Sequence, residues 1–171
     1  MINHTNPKAR VVREILEQND LSITDEQWQR LETWVDRLVE INSRINLISR
    51  KQTEVVWLHH ILHSITPLVL IDFPKDIELC DFGTGGGLPG VPLAILRPDW
   101  QVFLLDSRQK KISAIKETTD GLGCVNLNFI VFKDNKEILK DKIKKQITYN
   151  NINDKFELDK YEENIIENIS K

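Results

Sequence analysis

Residues 77–92 read IELCDFGTGGGLPGVP, and this stretch decides the fold. Ile77, Leu79 and Phe82 form a short apolar run bounded by turn formers, the signature of a buried strand. Asp81, Gly83, Gly85 and Gly87 then fall at every second position. Glycine has no Cβ, so such a loop takes positive φ and lets a ligand touch the backbone. The stretch reads as a nucleotide-type loop that leads from a strand into a helix.

The residues around the glycines indicate which nucleotide is held. Gly85, Gly87 and Gly90 satisfy G-x-G-x-x-G, a pattern that alone specifies little. Asp81 places a carboxylate where a dinucleotide-binding protein has an apolar residue. Pro89 and Pro92 remove N–H groups from the turn that would cradle a pyrophosphate. A carboxylate beside a glycine turn suits a cationic ligand, and S-adenosylmethionine carries both an ammonium and a sulfonium. Downstream, QVFLL at 101–105 reads as a second strand. Asp106 ends it roughly 20 residues beyond the glycines, where a carboxylate that binds a ribose diol falls.

DFGTGGGLPGVPLAI at 81–95, followed by LLDSRQKK at 104–111, resembles the glucose-inhibited division protein B (GidB, RsmG) family, the 16S ribosomal RNA guanine-N7 methyltransferases. NSRINLI at 42–48 and HHILHS at 59–64 belong to the same resemblance, which covers about residues 31–130. The resemblance implies an α/β, Rossmann-like class I S-adenosylmethionine-dependent methyltransferase fold with an N-terminal helical extension. It implies S-adenosylmethionine as cofactor, N7-methylation of a guanine in 16S ribosomal RNA, and a cytoplasmic monomer acting on that RNA or the small ribosomal subunit. Asp81, Gly83, Thr84, Gly85, Gly87, Leu88 and Asp106 would then hold the cofactor, with Asp81 near its ammonium. Arg44, Asn46, Arg50, His60, Ser64, Arg108 and Lys110 would face the RNA, the His60–Ser64 pair in a positioning role. Lys111 is grouped with the same basic patch, and no residue is assigned as catalytic.

Bulk properties bound the alternatives. At 171 residues the chain can bury one sizeable core. A net charge of -3 excludes a globally basic surface, so RNA contact must come from a local patch. Cys80 and Cys124 lack metal spacing and read as free buried thiols of a cytosolic protein. No apolar run approaches the roughly 20 residues of a membrane span, and no membrane association is expected.

Taken in order, residues 8–18 repeat apolar side chains at helical spacing. Residues 22–24, followed by Asp25 and Glu26, supply a cap for a helix to about residue 42 that buries Trp28, Leu31, Trp34, Val35, Leu38 and Ile41. The asparagine-rich stretch 42–50 reads as a turn. A helix over 54–70 is expected to bury Val55, Leu58, Leu62 and Ile65 and to end near Pro67. His59, His60 and His63 lack H-E-x-x-H and a carboxylate cluster, which favours structural or surface histidines over a metal site. Helices at 92–97 and 108–121 and a strand at 128–132 complete a β–α–β–α–β order, hence a parallel sheet.

These readings divide the chain into a helical extension over 1–72, a cofactor-binding core over 73–132 and a Lys/Asn/Ile-rich tail over 133–171. The tail has neither the apolar alternation nor the turn residues for the roughly four further strands of a whole methyltransferase sheet. Asp134 and Asn135 stand where the family places a small residue and an acid after the third strand, and join the cofactor-binding candidates. The expectation is a divergent or truncated ending, an incomplete sheet with an unpaired edge and an exposed apolar face, and reduced stability. The alternative to an active enzyme is an inactive relative that binds RNA or the ribosomal subunit without methyl transfer. An NAD-dependent enzyme is disfavoured by Asp81, Pro89 and Pro92.

Overall fold

Pro7 opens helix α1 (Pro7–Gln18), where its missing N–H costs nothing, and Asn6 caps the helix by accepting the Lys8 N–H. The structure, a computed structural model, describes residues 6–132 except for the side chains of residues 50–52, and the chain divides into two units after Phe132. Asp134, Asn135 and the tail reading therefore lie outside the described residues.

Helix α2 (Asp25–Asn42) starts in a capping box: the Thr24 hydroxyl accepts the Gln27 N–H and Gln27 Oε1 accepts the Thr24 N–H. Its expected apolar face is buried as read, from Trp28 through Ile41. Trp34 is fully buried and donates from Nε1 to the Thr118 hydroxyl at 3.1 Å. That bond ties α2 to helix α5 (Gln109–Thr119) across 84 residues of sequence.

The helix expected over 54–70 is not one regular helix. A 3₁₀ segment (Arg50–Val55) runs into a π turn (Trp57–Ile61), closed by the Leu62 N–H bonding to the Trp57 carbonyl, and then into α3 (Leu62–Leu70). The extra residue in the turn rotates the helix surface, so Val56, Trp57, Ile61 and Ser64 join the expected Ile65 in the interior, while Leu58 and Leu62 are half-buried against the core. Pro67 lies inside α3 and does not end it.

Strands β1 (Glu78–Phe82), β2 (Gln101–Asp106) and β3 (Leu127–Val131) form a parallel sheet in that order, with Asp81 opposite Leu104 and Asp106 opposite Val131. The chain is α/β, with strands and helices alternating from β1 to β3. Helix α4 (Gly90–Leu96) is buried along its whole length and packs against β1, β2, α2 and α3. Its last carbonyls, which have no partner within the helix, are met by side chains. Gln27 Nε2 donates to the Leu96 carbonyl at 3.0 Å, and the buried Asn126 amide to those of Ala94 and Arg97 at 3.2 Å.

Side chains alternate across the sheet, and Asp81, Val102 and Leu104 face the helices. On the other face of β1, Cys80 is exposed and Phe82 is 42% exposed, which corrects the reading of a buried strand and a buried Cys80. Neither side chain alternates toward α4. Cys124 is half-buried. The outer edge of β1 pairs with no strand among the described residues. The expected open apolar face is only partly open, because Phe103, Leu105 and Ile130 are buried.

Replacing Trp34 with phenylalanine removes the bond to Thr118 and leaves a void between α2 and α5. Unfolding in urea should then require about 1.5–3 kcal/mol less than for the wild type. An unchanged midpoint would show that this contact does not hold the helices together.

Candidate cofactor and RNA site

Strand β1 ends at Phe82, and the chain must turn at once to enter α4. The Gly83 and Thr84 N–H groups donate to the Leu105 carbonyl at 2.8 and 2.9 Å, which bends the loop over the end of β2. Asp81 closes it from below. Its buried carboxylate oxygen Oδ2 accepts the Thr84 hydroxyl at 2.6 Å and the Gly90 N–H at 2.9 Å. Burial, with a smaller push from the Asp106 charge, raises the Asp81 carboxyl above the usual carboxylate range, while the Thr84 and Gly90 bonds check that rise.

The glycines divide into two groups. Gly83 has φ +78°, and a Cβ there would meet nothing within 4 Å. That side of the loop is open. A Cβ on Gly90 would instead lie 2.2 Å from Leu104 Cδ2, and one on Gly87 would lie 2.8 Å from Val91 Cγ2. Gly87, read from sequence as a ligand-approach position, packs against the helices, whereas Gly83 faces open space and a Cβ on Gly85 would lie 3.8 Å from the Lys111 ammonium and 4.0 Å from the Leu47 carbonyl. Leu88 is half-buried against the core and is joined to Pro89 by a cis peptide.

Asp106, at the end of β2, is buried and holds the loop from the other side. Its Oδ2 accepts the Gly85 N–H at 3.1 Å and its Oδ1 accepts the Arg108 N–H at 2.9 Å. Among the described residues each oxygen thus keeps one lone pair, a pattern suited to two hydroxyls of a diol. The loop amides are also occupied within the protein: Gly87 and Leu88 donate to the Thr84 carbonyl and Val91 to that of Gly87. This turn offers carboxylates where a phosphate cradle would offer N–H donors.

The 42–50 turn lies directly on the loop. Asn42 is buried, and its Oδ1 accepts the Leu47 and Ile48 N–H groups at 2.8 and 2.9 Å, fixing the turn. Ile48 Cγ2 and Leu47 Cβ come within 3.3 and 3.4 Å of a Cβ placed on Gly86. Asn46 is exposed and, with Leu47, Ile48 and Ser49, lines a groove of about 390 Å³. Arg44 is exposed and paired with Glu117 of α5 at 2.9 Å, so part of its charge is already engaged. The Arg50 side chain lies outside the described residues.

Arg108 and Lys110 are exposed at the start of α5, on the segment that follows Asp106. Lys111 is not part of that exposed patch, contrary to the expectation from sequence. Its ammonium turns inward and lies 3.9 Å from Asp106 Oδ2. His60 is half-buried in the π turn and Ser64 is buried in α3, which packs on α4. Burial, and then the neighbouring His59 and His63, pushes the His60 imidazole below its ordinary pKa. Among the described residues no group of His, Cys, Asp or Glu is placed to hold a metal ion, and no helix is long and apolar enough to cross a membrane.

The loop-anchoring role of Asn42 is not legible in the sequence, although the residue sits in the quoted NSRINLI motif. Its one signal is an asparagine at a helix end. Asn126 gives no signal beyond residue type, since its partners come from another element, whereas Gly90 is marked by its place as the third glycine of G-x-G-x-x-G.

A family model described as rRNA small subunit methyltransferase G matches residues 27–160. That match reaches beyond residue 130, so the resemblance is longer than its motifs indicated. Three similar curated proteins are each named Ribosomal RNA small subunit methyltransferase G. That of Bacteroides thetaiotaomicron is 39% identical over 107 residues, which are 63% of this chain and 52% of the relative. That of Christiangramia forsetii is 38% identical over 114 residues, 67% and 54% of the two chains. That of Staphylococcus carnosus is 37% identical over 109 residues, 64% and 45% of the two. The chain spans about half the length of the curated relatives it matches.

Because folding raises the proton affinity of Asp81, its contribution to stability is full below the ordinary carboxylate range. It is lost as pH rises through the raised value. Asp81→Asn keeps a carbonyl oxygen for both donors and removes that dependence. In urea unfolding from about pH 4 to 8, wild-type stability relative to Asp81→Asn should fall with pH, and a rise would contradict the assignment. Asp81→Ala strands both donors and should cost about 2–4 kcal/mol.

Proposed function

We propose that this chain, which belongs to the rRNA small subunit methyltransferase G family, binds S-adenosylmethionine at the Gly83–Gly85 loop and methylates N7 of a guanine in 16S ribosomal RNA. The single observation that carries the reading is the open backbone at Gly83 beside a buried Asp106 that, among the described residues, keeps one lone pair on each oxygen. The residues fit the cofactor: the backbone at Gly83 leaves room for it, and Asp106 would accept the ribose hydroxyls. Asp81 supplies negative charge under the loop for an ammonium, acting at one remove because its Oδ2 is committed to Thr84 and Gly90.

When bound, the cofactor supplies an electrophilic methyl group on a sulfonium. Guanine N7 carries an available lone pair, so the protein is not required to remove a proton before transfer. Its task is to hold the base in line and exclude water. The 46–49 groove adjoins the loop and is the candidate place for the base or its backbone, with Asn46 on its rim. Arg108 and Lys110, exposed beside Asp106, would meet phosphates, and Arg44 would do so once freed from Glu117. His60 and Ser64 would position the segment that backs α4. The local basic patch serves where the net charge of -3 gives no general attraction to RNA. We read the acting species as a monomer in the cytoplasm.

Calorimetric titration of the full chain with S-adenosylmethionine should show binding that Asp106→Ala weakens about 100- to 10,000-fold, the loss of two hydrogen bonds to a charged acceptor. Preference for NAD would overturn the cofactor assignment. Methyl transfer to undermethylated small subunits should follow. RNA binding with no transfer would favour a binding-only role.

Exchanging both Arg108 and Lys110 for alanine should weaken RNA binding with little effect on cofactor affinity. The slope of log affinity against log salt should drop by about 1 for each phosphate that the variant no longer neutralises. An unchanged slope would place the RNA elsewhere.

A further inference from the structure

Two acids converge at the carboxyl ends of β1 and β2. Asp81 and Asp106 lie close enough that the charge of one raises the other's carboxyl. Asp106 carries the ligand-facing duty, and among the described residues two backbone N–H groups, from Gly85 and Arg108, hold it directly. Lys111 supplies the opposing charge. Its ammonium is 3.9 Å from Asp106 Oδ2 and 3.8 Å from where a Gly85 Cβ would stand, and its side chain is only 22% exposed. Lys110 and Arg108, its neighbours in sequence, are exposed. The helical turn of α5 therefore separates two kinds of cation, an outward pair for RNA and an inward one for the loop.

We infer that Lys111 is a positioning residue for Asp106, holding its carboxylate against the Gly85 loop so that both oxygens present their remaining lone pairs to a vicinal diol. The inference rests on the reading of Asp106 as the ribose acceptor. Lys111 itself touches no hydroxyl. Its effect is transmitted through the direction of the carboxylate, so it should govern how well the site tells a diol from its absence.

The test measures affinities of the full chain for S-adenosylhomocysteine and for its 2′,3′-dideoxy analogue. Wild type should prefer the diol ligand, and Lys111→Met should shrink that preference on the order of tenfold by weakening the diol ligand alone. Lys111→Arg, which keeps a cation within reach of Oδ2, should restore most of it. Lys111→Gln serves as a second neutral variant if the methionine form folds poorly, as judged by near-ultraviolet circular dichroism. Equal loss for both ligands would overturn the inference by placing Lys111 on another part of the ligand, and so would an unchanged preference in the neutral variants. A wild type that binds both ligands equally would overturn the ribose assignment of Asp106 itself. The two failures are thus distinguishable.

Discussion

One buried carboxylate sets the geometry of the site. Asp81 Oδ2 draws in the Thr84 hydroxyl and the Gly90 N–H, and a carboxylate buried without such donors would be too costly to keep. The bond to Gly90 fixes where α4 begins. Starting there brings the α4 backbone down onto Leu104, an approach so close that a single Cβ at Gly90 would overlap the leucine. With α4 seated on the sheet, α2 and α3 pack against it, and the helical residues share a core with the strands.

The same economy explains what the loop is fit to recognise. A phosphate site needs several N–H groups aimed outward, whereas here the amides of Gly83, Thr84, Gly85, Gly87, Leu88 and Gly90 bond within the protein. What remains on the open side is bare backbone at Gly83 and carboxylate oxygen at Asp106. Such a surface favours hydroxyls and positive charge. The turn at 42–50 adds a second wall, held by the Asn42 side chain rather than by regular secondary structure.

The helical layer is joined to the half-sheet by polar groups placed where backbone atoms lack partners. Gln27 serves the start of α2 with its oxygen and the end of α4 with its nitrogen, and Asn126 closes the α4 carbonyls from the entrance of β3. Buried polar groups of this kind contribute little beyond specificity when satisfied, but leaving one partner stranded is expensive. They therefore define one arrangement of α4 among those the apolar core would tolerate.

The sequence by itself determined the order of the strands and of the helices that follow them. Helical spacing located α1 and the buried face of α2, and the run from Asp81 to Gly90 marked a strand, a turn and a helix start. These are local properties, set by period, chain flexibility and side-chain chemistry over a few residues. The part each glycine plays was decided only in three dimensions, since Gly83 and Gly87 look alike until Val91 and Trp34 are seen beside one of them. The π turn that rotated the helix after Val56, the exposure of Cys80 and the inward turn of Lys111 were equally hidden. Each depends on which surfaces meet, and adjacent lysines in a sequence carry no record of which one the helix turns toward an acid from another strand.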